Sequence, residues 1–221
     1  MIDKLLSFVA PHHCCGCGKV GEPLCGNCKY HITSEQENAC IVCLRPCGPN
    51  GICNTCNVPY DRAWVVGPRQ DTLQRLIGLY KFQRMHSAYR NLGDLLLSTV
   101  PDLPSNVVVV PVPTVASHIR ERGYDHTHLI AKYFAKRRGL EFSRVLARAT
   151  HTKQRQASAS TREAQAKLAF KVDDQIKSDI PYLLIDDIMT TGATLKYAAK
   201  ILKQAGASQV WVAIVARQTM D

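Results

Sequence analysis

Two adjacent carboxylates, Asp186 and Asp187, stand at the end of the apolar run YLLI and directly before the loop MTTGAT, residues 189–194. Neighbouring carboxylates repel, and burying them is costly unless something uses them. The loop supplies Thr190, Thr191, Gly192, Ala193 and Thr194 and then opens a helix. Free N–H groups and the helix dipole favour a phosphate there, glycine lets the backbone approach it, and the hydroxyls donate. One bend therefore offers acceptors for sugar hydroxyls and a cradle for a phosphate, the two ends of a pentose 5-phosphate. A turn aspartate with capping threonines is the plainer alternative. It explains one polar residue, not two carboxylates plus an anion loop.

The second chemical group is made of cysteines. All ten fall between Cys14 and Cys56, and eight form C-x2-C pairs: Cys14/Cys17, Cys25/Cys28, Cys40/Cys43 and Cys53/Cys56. Two intervening residues let a tight turn present both thiolates to one tetrahedral ion, and two such turns complete a four-thiolate site. Four pairs supply two structural Zn2+ ions, the pattern of a double zinc ribbon, although spacing does not say which pairs share an ion. Cys15 and Cys47 are spare, with Cys47 able to replace a partner at the second site. Nothing points to export, so disulfides are not expected. No cysteine has the isolated, base-paired setting of a nucleophile.

The elements that must position these residues follow from pattern. At 221 residues and 46% hydrophobic content, the chain can bury a core of moderate size. RAWVVG (62–67), NVVVVPVP (106–113), YLLID (182–186) and QVWVAIVA (209–216) read as strands. DTLQRLIGLYKF (71–82) reads as a helix or a helix plus a turn, and SAYRNLGDLLLSTV (87–100) and HTHLIAKYFAKRRG (126–139) read as helices, the last with Leu129, Ile130, Tyr133 and Phe134 on one face. A further helix over about 192–205 carries Leu195, Ala198, Ala199, Leu202 and Ala205 as its stripe, with Gly206 as its stop. Strands alternating with helices predict an α/β fold with a parallel sheet, in which ligands gather beyond the carboxyl ends of the strands. The expected organisation is a Cys-rich ribbon over 1–58 and an α/β domain over 59–221.

Charge divides along the same line. Residues 1–58 hold four Lys/Arg and four Asp/Glu, so the rest of the chain carries the whole net charge of +10. Residues 118–171 alone hold 13 Lys/Arg against four Asp/Glu. Such a field suits a polyanionic ligand, and equally a nucleic-acid surface or a solvated face. The opening MIDKLLSFVAP has too short an apolar part for a secretion signal and suits a short helix. No stretch is long enough to span a bilayer. A soluble, cytoplasmic protein without membrane insertion is expected, and its oligomeric state is not readable.

IDDIMTTGATL resembles the phosphoribosyl-pyrophosphate (PRPP) motif of type I phosphoribosyltransferases. The order of the cysteine pairs, YKF (80–82), VPVP (110–113), RERGYD (120–125) and that motif resembles the ComF family. The resemblance implies a type I phosphoribosyltransferase-like domain behind a double zinc ribbon, with PRPP and Mg2+ as ligands. By it, Asp186 and Asp187 hold the ribose hydroxyls, and residues 190–194 wrap the 5-phosphate. Arg120 and Arg122 are the cations nearest the pyrophosphate. The stretch 149–167 is a hood over PRPP, in which Gln154 and Arg162 match family positions. The family link further implies DNA uptake in natural transformation, with single-stranded DNA or uptake proteins as partners.

Three departures stand out. Asp125 and His126 replace an amide pair, which sets an anion near the pyrophosphate. Gln165 stands where the hood usually has Asn. Thr190 replaces the acid that serves a purine, so the acceptor stays open. His126 and His128, flanking a helix start, are expected to be ordinary surface histidines. Three readings follow: a phosphoribosyl transfer enzyme, a PRPP or nucleotide sensor without turnover, and a single-stranded nucleic-acid binder.

Overall fold

The structure, a computed structural model, describes residues 12–34, 39–83, 85–148, 170–172 and 174–218. The expected helix at the start of the chain lies outside these residues. So does the expected hood over 149–167, with Gln154, Arg162 and Gln165.

A five-stranded parallel sheet carries the fold. Its strands are β3 (Arg62–Pro68), β4 (Val108–Pro111), β5 (Glu141–Phe142), β8 (Pro181–Met189) and β9 (Gln209–Arg217), ordered β3-β9-β8-β4-β5. Leu184 pairs with Val110 on one side and Val212 on the other, which centres β8 between β4 and β9. The central strands are apolar on both faces, as a sheet covered on both sides requires. Val107, Val109, Leu183, Ile185, Trp211, Ala213 and Val215 enter one core. Their alternates Val108, Val110, Tyr182, Leu184, Val210, Val212 and Ile214 enter the other.

The first core is covered by α2 (Asp71–Phe82), α3 (Ala88–Thr99) and α5 (His126–Arg138). The second is covered by α6 (Ala193–Gln204). Between β4 and α5 runs the short α4 (Ala116–Arg122), which the sequence reading did not predict. The face of α5 is rotated from expectation. Ile130 and Phe134 are buried with Ala131 and Ala135, while Leu129 and Tyr133 are only partly covered. Tyr133 sits at the rim because its hydroxyl donates to Asp94, at 2.8 Å. α6 stops one residue earlier than expected and leaves Ala205 exposed.

The Cys-rich region is built from the hairpin β1 (His12–His13) and β2 (Val20–Gly21), then α1 (Gly26–Ser34) and an irregular stretch over 39–61. It grips both cores. Leu24 enters the first and Ile41 and Tyr60 the second, each almost fully buried. The second part also reaches the outer edge of β3, where the Ala63 N–H donates to the Asn50 carbonyl at 2.8 Å. Gly51 makes this approach possible: its φ is +69°, and a Cβ there would lie 1.9 Å from the Ala63 carbonyl oxygen.

Two further strands, β6 (Leu146–Arg148) and β7 (Phe170–Val172), pair antiparallel at the two ends of the 149–169 segment.

Candidate functional site

The eight paired cysteines converge into two groups. Cys14, Cys17, Cys25 and Cys28 form one and Cys40, Cys43, Cys53 and Cys56 the other, with all ligand atoms within 4.8 Å of one another. The pairs thus combine consecutively, which spacing had left open. Cys17 and Cys25 Sγ are 3.6 Å apart, and Cys43 and Cys53 Sγ 3.5 Å. A tetrahedral ion at about 2.3 Å from each sulfur sets such edges near 3.8 Å. The protons also fit. Burial opposes ionisation of Cys14, but backbone N–H groups of Cys25, Cys17 and Gly16 bring it down to about 6. Burial and the neighbouring thiols push Cys28 up to about 12. In the second group the Thr55 hydroxyl brings Cys53 down to about 6, and hydrogen bonds to Cys53 and Cys43 push Cys56 up to about 12. One thiol in each group gives up its proton and another holds on, so full ionisation needs a cation. Two such four-cysteine groups make this region a double zinc ribbon able to hold two structural zinc ions. Cys15 and Cys47 stand outside both groups, and Cys15 packs with its sulfur on the Thr72 carbonyl.

The carboxylate pair is not where its sequence position suggests. β8 continues through both acids to Met189, so Asp186 and Asp187 are successive residues of an extended strand and face opposite sides. Asp187 shares the side of Leu183 and Ile185 and is 4% exposed. Its Oδ2 lies 2.8 Å from Lys81 Nζ, at the end of α2, and 2.6 Å from His126 Nε2, at the start of α5. Burial opposes its charge, but the His126 hydrogen bond and the Lys81 ammonium outweigh that and hold it below the usual carboxylate range. Asp186 is half-buried on the other side, where its Oδ1 accepts the Asp187 N–H at 2.8 Å. Burial, then the Asp187 charge, push Asp186 up to about 8. The two carboxyl groups therefore lie on opposite sides of the sheet with different partners. Separated environments have split them into a fixed anion and a proton holder.

That split has a sign in stability. An unfolded Asp ionises near about 3.9, so between that value and about 8 the native chain binds a proton that the unfolded chain releases. Stability falls as pH rises through this window. Asp186→Asn should melt above the wild type at pH 8, with the gain shrinking towards pH 4.5. A pH-independent difference between the melting curves would count against this arrangement.

After β8, Thr190 and Thr191 are exposed, and Gly192 turns the chain into α6 with φ +74°. A Cβ on Gly192 would meet the Met189 sulfur at 3.3 Å. Ala193 and Thr194 form the first turn of α6, whose opening N–H groups have no partner within the helix.

The arginines are also redistributed. Arg120 is exposed on α4, while Arg122 Nη1 lies 2.9 Å from Nδ1 and 3.1 Å from Nε2 of His126, its guanidinium over the Phe82 ring. Neither borders the cavity of about 350 Å³ beyond the end of β4, which is lined in part by Pro113, Thr114, Asp125, Arg144 and Arg148. Arg148 Nε donates to the Pro113 carbonyl at 3.0 Å, and its charge acts on Asp186. The cations that line this cavity are Arg144 and Arg148, from β6 and the residues just before it. Asp125 caps α5 by accepting the His128 N–H at 3.1 Å, and it accepts the Thr114 hydroxyl at 2.8 Å. A larger cleft, about 940 Å³, opens between the two thiolate groups and β3, away from the acids and the 190–194 loop.

His126 corrects the expectation of a surface histidine, being 5% exposed with its ring on Asp187. Lys81 was legible only as part of YKF. His128 is half-buried against Phe142, and burial lowers its pKa.

Residues 105–220 match the phosphoribosyl transferase domain family, and the chain belongs to it. Three relatives extend the match over most of the chain. Competence protein F of Haemophilus influenzae is 28% identical over 217 residues, 92% of this chain and 90% of that one. Competence protein ComFC of Bacillus subtilis is 25% identical over 201 residues, 85% and 81%. DNA utilization protein YhgH of Salmonella typhimurium is 28% identical over 221 residues, 85% and 95%. With its double zinc ribbon and its phosphoribosyl transferase domain, this is a ComF-family protein. Among solved structures, a glutamine phosphoribosylpyrophosphate amidotransferase from B. subtilis overlays with a TM-score of 0.43 and 22% identity, over 58% of this chain and 26% of that one. Among the described residues, no helix is long and apolar enough to cross a membrane.

Proposed function

We propose that this chain binds PRPP, or a closely related sugar phosphate, at the junction of β8 and α6 and transfers its phosphoribosyl group with release of pyrophosphate. The observation that carries the reading is what gathers at one end of the sheet: a half-buried acid near the end of the central strand, a glycine-opened helix start directly after that strand, and a cavity lined by Arg144 and Arg148 at the end of the adjoining strand, with the Arg148 charge acting on the acid. Asp186 takes the ribose hydroxyls. Thr190, Thr191, Gly192, Ala193 and Thr194 take the 5-phosphate through hydroxyls and backbone N–H groups. Arg148 and Arg144 meet the pyrophosphate, a role that the resemblance had given to Arg120 and Arg122.

In the reaction the bond from the sugar C1 to pyrophosphate breaks, and the leaving oxygen keeps the electron pair. The acceptor forms the new bond to C1 and loses a proton. The arginines offset the charge on the departing group. Bound together with PRPP, Mg2+ would supply further neutralisation of the pyrophosphate charge beside Arg144 and Arg148. The acceptor class is open, because Thr190 offers no carboxylate to a purine. The names of the relatives, competence and DNA utilization, support a link to DNA uptake; a cytoplasmic place with single-stranded DNA or uptake proteins as partners is what the family resemblance adds to this reading.

Isothermal titration with PRPP and Mg2+ tests binding. The wild type should give a saturable signal that Asp186→Asn weakens by roughly tenfold to a hundredfold, the loss of a hydrogen-bonded acid. Pyrophosphate release on a panel of bases then separates an enzyme from a sensor. No heat with the wild type would overturn the proposal.

A further inference from the structure

We propose that Lys81 and His126 are positioning residues for this site: they hold the Asp187 carboxylate on the α2 and α5 side of the sheet, so that Asp186 is the one acid of the pair that meets the sugar. The inference rests on the phosphosugar reading above and changes how its motif works.

The geometry leaves little choice. The side chains of Lys81, His126 and Asp187 are 11%, 6% and 6% exposed, and both donors reach the same oxygen. Turning Asp187 out to a ligand would separate it from both of these close contacts and strand an ammonium inside the fold, which one sugar hydroxyl does not offset. The surroundings brace the arrangement. The Tyr80 hydroxyl donates to the His126 carbonyl at 2.8 Å, the Tyr124 hydroxyl donates to the Tyr80 carbonyl, and Arg122 sits against the His126 ring. Among the described residues, the charged and titratable groups facing Asp187 include Lys81 and, further off, Tyr80 from α2 and His126 from α5, with Asp186 beside it on β8. Arg122 stands behind the imidazole. Because an ionised carboxylate only accepts, the His126 Nε2 carries a proton. Any side chain that sets an N–H at that point should do the same work. The opposite pKa shifts of the two acids agree with this division of labour.

The experiment titrates PRPP with Mg2+ into the wild type and into His126→Gln, His126→Leu, Asp187→Asn and the His126→Leu/Asp187→Asn double variant, each checked for folding by its melting curve. Glutamine keeps the donor and should bind within about threefold of the wild type; leucine should weaken binding about tenfold or more. The double variant should be no weaker than the worse of its single variants, because both changes act through one carboxylate. In the ligand-free protein, ring 15N resonances should show a proton on His126 Nε2 that Asp187→Asn perturbs, a readout that stands even if the leucine variant fails to fold. Wild-type affinity in His126→Leu, or a ring without that proton, overturns the positioning role while leaving the phosphosugar reading intact. A wild type that takes up no PRPP removes the functional reading itself, and this inference with it.

Discussion

Stripping zinc from both thiolate groups is expected to unfold the Cys-rich region and to loosen the domain beneath it. Structural zinc contributes roughly 10–16 kcal/mol of apparent binding free energy per ion at pH 7, as much as the whole stability of an ordinary domain, about 5–15 kcal/mol. Among the described residues, this region has little regular structure of its own. α1 buries none of its residues, and the hairpin β1–β2 is two residues long on each strand. The effect spreads because Leu24 and Ile41 are buried in opposite cores, with exposures of 2% and 1%. Each such side chain contributes about 1.5–3 kcal/mol by burial, so pulling them out should lower the melting point of the remainder as well. Elemental analysis should find two zinc ions per chain. Chelator treatment should open the first sixty or so residues to protease before the sheet. A metal count near zero, or an unchanged cleavage pattern after chelation, would contradict this.

Lys81→Met should cost about 3–5 kcal/mol at neutral pH, the loss found when a buried ion pair is broken from one side. Asp187 would keep its burial and its His126 bond but lose its nearest full positive charge, 2.8 Å away. The pH dependence follows from the direction of its shift. The native pKa of Asp187 lies below the unfolded one. The stability it contributes is therefore present above about pH 4 and lost as pH falls through the native value. Removing Lys81 shrinks that contribution. Urea unfolding should show the variant's deficit in full at pH 7 and shrinking progressively as pH is lowered below about 4. A deficit below about 1 kcal/mol at pH 7, or one that does not shrink at all in acid, would mean that Lys81 carries no buried charge pair.

Much of the scaffold was legible in the sequence because period and punctuation agreed. α2 begins and ends at the residues its pattern gave, Asp71 and Phe82, and the buried strands announced themselves as β-branched runs. The site was legible as a list of residues and less so as an arrangement. Placing the acids in a bend rather than within β8 hid the rule that successive strand residues face opposite sides. That rule alone would have separated Asp186 from Asp187. The partners of Asp187 were beyond reach for another reason: Lys81 and His126 meet it across three elements, and nothing local marks such a contact. Arg148 reaches the site through β6, a strand of three residues, too short for any periodic signal. The pairing of the cysteines was likewise a question of three-dimensional closure.

The bond from Ala63 to the Asn50 carbonyl has one more consequence. β3 is a boundary strand, and its outward amides are a ready template for another chain. The loop through Asn50 occupies part of that template, so an intact ribbon should limit edge-to-edge association. Metal loss should then yield sticky, sheet-extending polymers before it yields a merely floppy monomer.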